Sequence, residues 1–455
     1  MATRLYLHDS PKPITSTLFT TGTGFNSYVS TAVLQPDGKI IVGGGFTSYN
    51  GVTQNYITRL NPDGTRDTTF APTGTGFNNQ VYSIALQSDG KILVGGQFTL
   101  YNGVAQNYVT RLNTDGTRDT SFTIGTGFAG TVAGITAVTS LIVQTDGKIL
   151  AGGYFTSYNG TTQNSLTRLN TDGTRDTGFT IGTGFNAEVQ TILQQSNGKI
   201  LVGGGFTTYN GVTQNYITRL NADGTRDTGS SLGTAFAGGS INSLAQQSDG
   251  KILIGGQFTT YNGVAQGGIT RANTDDTRDT GFTIGTGFDS LVDAITQQTD
   301  GKILVGGYFT TYNGVTQNRI TRLNANGTRD TGFTISTGFN NNINSIAVQA
   351  DGKILVGGNF TSYNDISSDS RTYFIRLDAD GTYPLTGIGF NSGGTGFNNS
   401  VSEIILQTDN KILVIGSFST YNGFAVAGIT RLNADGTRDT AFNPGTSNSG
   451  SLAIA

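Results

Sequence analysis

A segment of the form [DN]-[GN]-K-I recurs eight times along this 455-residue chain, with its lysine at Lys39, Lys91, Lys148, Lys199, Lys251, Lys302, Lys353 and Lys411. The mean spacing is about 53 residues, and an arginine in a TRLN-like segment keeps step at Arg59, Arg111, Arg168, Arg219, Arg271, Arg322, Arg376 and Arg431. A fixed period of this length marks a repeat architecture, in which one unit cannot bury its apolar face alone and must stack on copies of itself. The ordinary expectation of roughly three domains of ~150 residues gives way to that constraint.

One copy, residues 74–122, parses by period and turn chemistry. VYSIALQ (81–87) alternates and is rich in β-formers, which predicts strand A; SDGK supplies an Asp-Gly turn. KILVGGQF (91–98) is apolar on both faces and predicts strand B, a strand sandwiched between neighbours. TLYNGVAQN (99–107) reads as a loop, YVTRLN (108–113) as strand C, and TRDTSF (117–122) as a short strand D. A four-stranded meander of this size does not stand alone. Eight copies and the lack of a polar capping repeat favour a closed ring over an open stack, so the fold class is all-β, a β-propeller of about eight four-stranded antiparallel blades. A seven-bladed ring with accessory strands is the alternative.

The run [LV]-Q-x-D-G-K-I-L-V-G-G-x-F followed by I-T-R-L-N-x-D-G-T-R-D-T-x-F resembles the delta-60 repeat, a propeller-type bacterial repeat, from about Gly22 to Phe442. The resemblance implies architecture and an association with large surface-exposed or structural proteins. The first residues, MATRLYLH, resemble the beginnings of some cyanobacterial phage structural proteins. Residues 1–21 are expected to be an N-terminal strand or anchoring arm, 22–442 the propeller, and 443–455 a closing segment. One terminal segment is expected to complete the last blade and cover its edge.

Composition removes most enzyme chemistry. There is no Cys or Trp, and His8 is the only histidine, which excludes thiolate nucleophiles, Cys-based zinc sites and His-dependent triads. No cofactor is expected. Formal net charge is −3 from 27 Lys and Arg against 30 Asp and Glu, too balanced to hold nucleic acid. The opening residues lack the apolar core of a signal peptide and no 18-residue apolar run occurs, so neither secretion nor membrane insertion is expected.

In a meander blade the A–B and C–D turns emerge on one side and the B–C and D–A loops on the other. The first side carries the Asp-Gly turns and nearly all the charge, such as Lys39, Asp63, Arg66 and Asp67. Laid on a calcium loop with Asp63 and Gly64 at positions 5 and 6, it places Arg59 at the first ligand and Phe70 at the bidentate acid, so it reads as a hairpin with paired charges and no metal. The acids Glu188, Glu403, Asp275, Asp276, Asp289 and Asp293 offer no obvious pair for glycoside hydrolysis. GTGFN precedes a strand, not the helix a phosphate loop needs.

The other side is uncharged and rich in Y-N-G turns. A flat ring beside amides suits a sugar, so the candidate glycan residues are Tyr49, Asn50, Gln54, Tyr101, Asn102, Gln106, Tyr158, Asn159, Tyr209, Asn210, Tyr261, Asn262, Tyr312, Asn313, Tyr421 and Asn422. The competing reading is that each Tyr packs between blades and each Asn-Gly makes a turn. Insertions at 129–140, 365–372 and 383–394 read as contact loops. Together these features predict a non-enzymatic structural or recognition protein of a phage virion or phage-like tail. Its partners would be neighbouring virion subunits and host surface polysaccharide. A bacterial surface adhesin, and more distantly a glycan-degrading enzyme, are the alternatives.

Overall fold

The computed structural model describes residues 25–70, 75–364, 373–383 and 395–442. They form eight blades, each a three-stranded antiparallel sheet in the order A-B-C. In the first blade strand A is Val29–Leu34, B is Ile40–Gly44 and C is Ile57–Leu60. The last blade has Val401–Leu406, Ile412–Gly416 and Ile429–Leu432. Strands B and C are buried along their length, as expected of sheets covered on both faces by neighbouring blades.

Strand D differs from expectation. Only one bridge remains of it in the second blade, Leu112 with Arg118. The cause is local: Asp119 Oδ1 accepts from the Ser121 N–H at 2.9 Å and from its hydroxyl at 2.7 Å. This side-chain turn ends the strand before a ladder can form. The B–C loop is more ordered than expected, because Ser48–Tyr49 pairs with Val52–Thr53 around Asn50 (φ 52°) and Gly51 (φ 72°). Phe25, from the segment before strand A, adds a bridge to Tyr49.

The seams between blades make the core, in eight clusters that each draw on two adjacent blades, such as Ile41 and Ile57 with Phe77, Val81 and Ile84. The first glycine of the Gly-Gly pair makes this contact possible. At Gly43, Gly95, Gly152, Gly203, Gly255, Gly306 or Gly357 a side-chain carbon would come within 2.4–2.9 Å of a side chain of the next blade. The last blade breaks the pattern with Ile415. Blade 1 answers with Ala32 at the strand-A position where the other blades have Ile84, Leu141, Ile192, Leu244, Ile295, Ile346 and Ile404. Ile415 and Ala32 share one buried cluster, a large-for-small exchange that fills the seam between blade 8 and blade 1.

Hydrogen bonds close the same seam. The strand-C arginine of each blade reaches the C–D turn of the next: Arg59 to Thr114 O, Arg111 to Thr171 O, and finally Arg431 to Pro62 O at 2.5 Å. Likewise Phe77 N–H donates to Asn55 O at 3.3 Å, and Phe25 N–H to Ala427 O at 3.1 Å. The ring is therefore an eight-bladed propeller closed by side-by-side packing of the described residues. The segments 1–21 and 443–455, expected as arm and closing strand, lie outside the described residues, as do the insertion at 365–372 and most of that at 383–394.

Candidate functional site

The seven Y-N-G tyrosines, and Tyr363 at the equivalent place in the seventh blade, are core residues, 0–2% exposed. Each ring packs on the GTGF phenylalanine, as Tyr49 does on Phe25 with centroids 4.6 Å apart. Its hydroxyl donates to the carbonyl of the C–D turn, Tyr101 to Gly116 at 2.5 Å and Tyr421 to Gly436 at 2.6 Å. The B–C hairpin thus curls back until its tip lies within a tyrosine's length of the C–D turn, instead of standing on the opposite side. Burial pushes these hydroxyls up, that of Tyr101 well above its ordinary value.

The rings of Tyr49, Tyr101, Tyr158, Tyr209, Tyr261, Tyr312 and Tyr421 therefore have no face free for a sugar, which corrects the sequence expectation. Their neighbours are engaged too. Asn50, Asn102, Asn159, Asn210, Asn262, Asn313 and Asn422 hold φ of 47–53°, the turn geometry Asn tolerates. Asn102 Oδ1 accepts from Gly76 N–H at 2.8 Å, and Asn159, Asn210 and Asn313 receive the N–H groups of Thr126, Thr183 and Thr286. Gln54 and Gln106 are buried and accept from Thr58 and Thr110.

The charged turns are likewise structural. Asp67 takes Arg59 Nε at 2.8 Å, Lys39 Nζ at 2.9 Å and the Thr69 hydroxyl at 2.6 Å. Burial alone would raise this carboxyl, but these donors hold it well below the usual carboxylate range. Asp63 Oδ1 is occupied by the Thr65 N–H and hydroxyl. In the fifth blade Asp276 stands where other turns have glycine, at φ 67°, and pairs with Arg219 at 2.5 Å.

What remains is the centre. The A strands line a channel of about 3330 Å³. In every blade strand A carries one bulge against strand B at the same place, between Val29 and Thr31, Val81 and Ser83, and so on to Val401 and Glu403. A bulge leaves one residue unpaired and re-aims its side chain. The eight bulge residues are Ser30, Tyr82, Thr139, Gln190, Asn242, Asp293, Asn344 and Ser402. Two further positions flank the bulge at this end of the channel, the residue two before it and the residue after Gly-Gly; Ala137 and Tyr154 of the third blade are in the channel lining itself. A backbone rung ties this pair together in blades such as the second, where Gln97 N–H donates to Gln80 O at 2.8 Å.

These three positions hold a different set in each blade. They are Tyr28, Ser30 and Gly45 in the first, Gln80, Tyr82 and Gln97 in the second, Glu188, Gln190 and Gly205 in the fourth, and Asn342, Asn344 and Asn359 in the seventh. Within a blade they bond to one another. Tyr82 Oη donates to Gln80 Oε1 at 2.7 Å, Asn342 Nδ2 to Asn344 Oδ1 at 2.7 Å, and Gln190 Nε2 to Glu188 Oε1 at 3.2 Å. Glycine appears where the partner is large: a side-chain carbon at Gly45 would sit 2.6 Å from the Tyr28 ring, and one at Gly205 2.4 Å from the Glu188 carboxylate. The insertion at 129–140 adds Ile135, 41% exposed, to the channel lining. Glu403, beside the last bulge, is half-buried, and burial pushes its carboxyl up to about 7. Repeat-based reading missed this mouth because it looks for what recurs; the signal lay in the columns of the repeat that do not.

A second exposed feature runs around the outer hairpins, where Val52, Val104, Val212, Val264, Val315 and Phe424 are 45–54% exposed.

No functionally curated protein matches the chain in sequence. Among solved structures it is similar to the C-terminal WD40 domain of Sif2 (12% identity over 88% of this chain and 96% of that one, TM-score 0.43). It is also similar to the WD40 β-propeller domain of Doa1 (16% identity, 78% and 94%, TM-score 0.41). A third is PorZ, a surface component of the type-IX secretion system of Porphyromonas gingivalis (13% identity, 92% of this chain, TM-score 0.36); the chain spans 57% of the length of that structure. The model of one family, described as domain of unknown function (DUF5122) beta-propeller, matches residues 35–70, 87–122, 144–179, 195–229, 247–282, 298–333, 349–382 and 407–442, one segment per blade. The chain belongs to this DUF5122 β-propeller family.

Proposed function

We propose that the chain is a non-enzymatic recognition propeller on the exterior of a phage virion or phage-like tail, with the channel mouth as its ligand site and neighbouring virion subunits as its structural partners. The observation that carries recognition is the pattern of variation. Blades nearly identical in their turns, seams and buried rings differ from one another at the bulge and its two neighbours, which converge on one end of one channel. A scaffold position is under the same packing demand in every copy, whereas a site for an asymmetric ligand needs different groups at equivalent places. What supports the placement on a phage particle is the resemblance of the MATRLYLH segment to phage structural proteins.

A bacterial cell-surface propeller would use the same mouth, and location separates the two. Immunogold electron microscopy of purified particles from the source is expected to label the tail or another exterior structure. Label on the cell envelope with bare particles would overturn the virion reading and leave the recognition reading in place.

A further inference from the structure

We propose that the channel mouth binds an uncharged glycan chain, with Tyr28, Tyr82 and Tyr154 as its stacking surface and the amides of Gln190, Asn242 and Asn344 as its hydroxyl partners. The inference deepens the recognition reading above and rests on it. The three tyrosines come from the first, second and third blades and are all half-buried, unlike the Y-N-G rings. Tyr28 lies against the bare backbone of Gly45, and Tyr82 is anchored through its hydroxyl to Gln80 at 2.7 Å and Gln97 at 3.2 Å. Fixed aromatic rings with a polar edge cover the C–H faces of a pyranose at small entropic cost.

The amides continue the arc through the fourth, fifth and seventh blades and are held by their neighbours. Ser240 donates to Asn242 Oδ1 at 2.8 Å, and Asn344 Nδ2 reaches Val401 O of the next blade at 2.8 Å. Held in this way, each amide keeps at least one N–H of its NH2 group for a sugar oxygen.

Charge selects among glycans. The three mouth positions of the eight blades contain Glu188 and Asp293 and no Lys or Arg, and Glu403 lies in the channel lining beside the last bulge. The cations of that lining, Lys302, Arg322, Lys411 and Arg431, are paired with Asp330 and Asp439. The nearby Arg319 is tied to the Tyr308 carbonyl. A uronic or sulphated chain would meet the carboxylates of Glu188, Asp293 and Glu403 against the single guanidinium of Arg319, and like charges repel. A neutral chain meets no such barrier.

The chain has 18 Tyr, whose emission would average over all of them, so binding is followed by titration calorimetry. The purified protein is titrated with oligosaccharides of dextran and of neutral galactan, and in parallel with polygalacturonate. The expected result is saturable binding of at least one neutral series and none of polygalacturonate, with Tyr82→Ala and Tyr154→Ala each weakening binding at least tenfold and Val52→Ser changing it less than twofold. Melting curves accompany every variant; should Tyr82→Ala unfold, Gln190→Ala is read in its place with the same tenfold expectation. Binding of polygalacturonate in preference, no binding of any neutral series, or neutral binding untouched by the mouth variants would overturn the proposal. A protein ligand lost on the same mouth variants, with no glycan bound, would overturn it while sparing the recognition reading. Release of reducing ends from a bound neutral glycan would support the ligand class and overturn the non-enzymatic reading.

Discussion

The seam between blade 8 and blade 1 can be tested by exchanging its two exceptional residues. Ile415 is 1% exposed and faces Ala32, where every other seam sets a glycine against a larger aliphatic. Ile415→Gly removes the buried side chain, at about 2–5 kcal/mol for such a truncation, and adds up to ~1 kcal/mol for glycine in a strand. Ala32→Ile alone crowds a filled seam, at about 1–3 kcal/mol. If the two positions were independent, the double variant would lose about 6 kcal/mol. If they touch, the double variant rebuilds the packing of the other seven seams and loses about 2 kcal/mol or less. With an unfolding entropy of roughly 2.1 cal/mol/K per residue over a unit of this size, those outcomes correspond to Tm decreases of about 7 °C and about 2 °C. Scanning calorimetry of the four proteins in the cycle decides between them. Additive losses, or a neutral Ile415→Gly, would mean that the ring is not closed at this seam.

Two other perturbations have signs fixed by the structure. Tyr209→Phe removes only the hydroxyl that donates to Gly224 O at 2.5 Å, so it should cost about 1 kcal/mol in urea unfolding and leave ligand binding unchanged; a loss of binding would return the Y-N-G turns to the functional surface. Glu403 has a folded carboxyl raised to about 7. Its penalty is absent below the unfolded value near 4.3, grows as pH rises toward 7 and is full above it. Glu403→Gln is therefore expected to raise Tm at pH 8 and leave it unchanged at pH 4, and a shift of equal size at both pH values would contradict the burial argument.

The period of the repeat was enough to place eight blades, because strands A, B and C follow directly from apolar alternation and Asp-Gly turns. Strand D was misread because its sequence has β-formers, while Asp119 captures the backbone two residues on and stops the ladder. The tyrosines were misplaced for a different reason. Y-N-G announces a turn, and turns are ordinarily exposed, but nothing local says that the hydroxyl of Tyr101 meets a carbonyl 15 residues later. Closure is legible in the sequence: Ile415 and Ala32 are paired exceptions to the repeat, visible once the copies are aligned column by column. The same alignment shows the bulge column, in which Ser30, Tyr82, Gln190 and Asp293 have nothing in common except their place.

The claim that matters most is that recognition lives at the channel mouth and not on the outer hairpins. The absence of cysteine allows a direct measurement. Ser402→Cys places a single thiol at the mouth and Val52→Cys places one on the outer rim, and each is capped with a maleimide-linked polyethylene glycol chain. Retention on a column of the bound neutral polysaccharide is expected to vanish for the capped mouth variant and to persist for the capped rim variant. Retention lost at the rim and kept at the mouth would contradict the account.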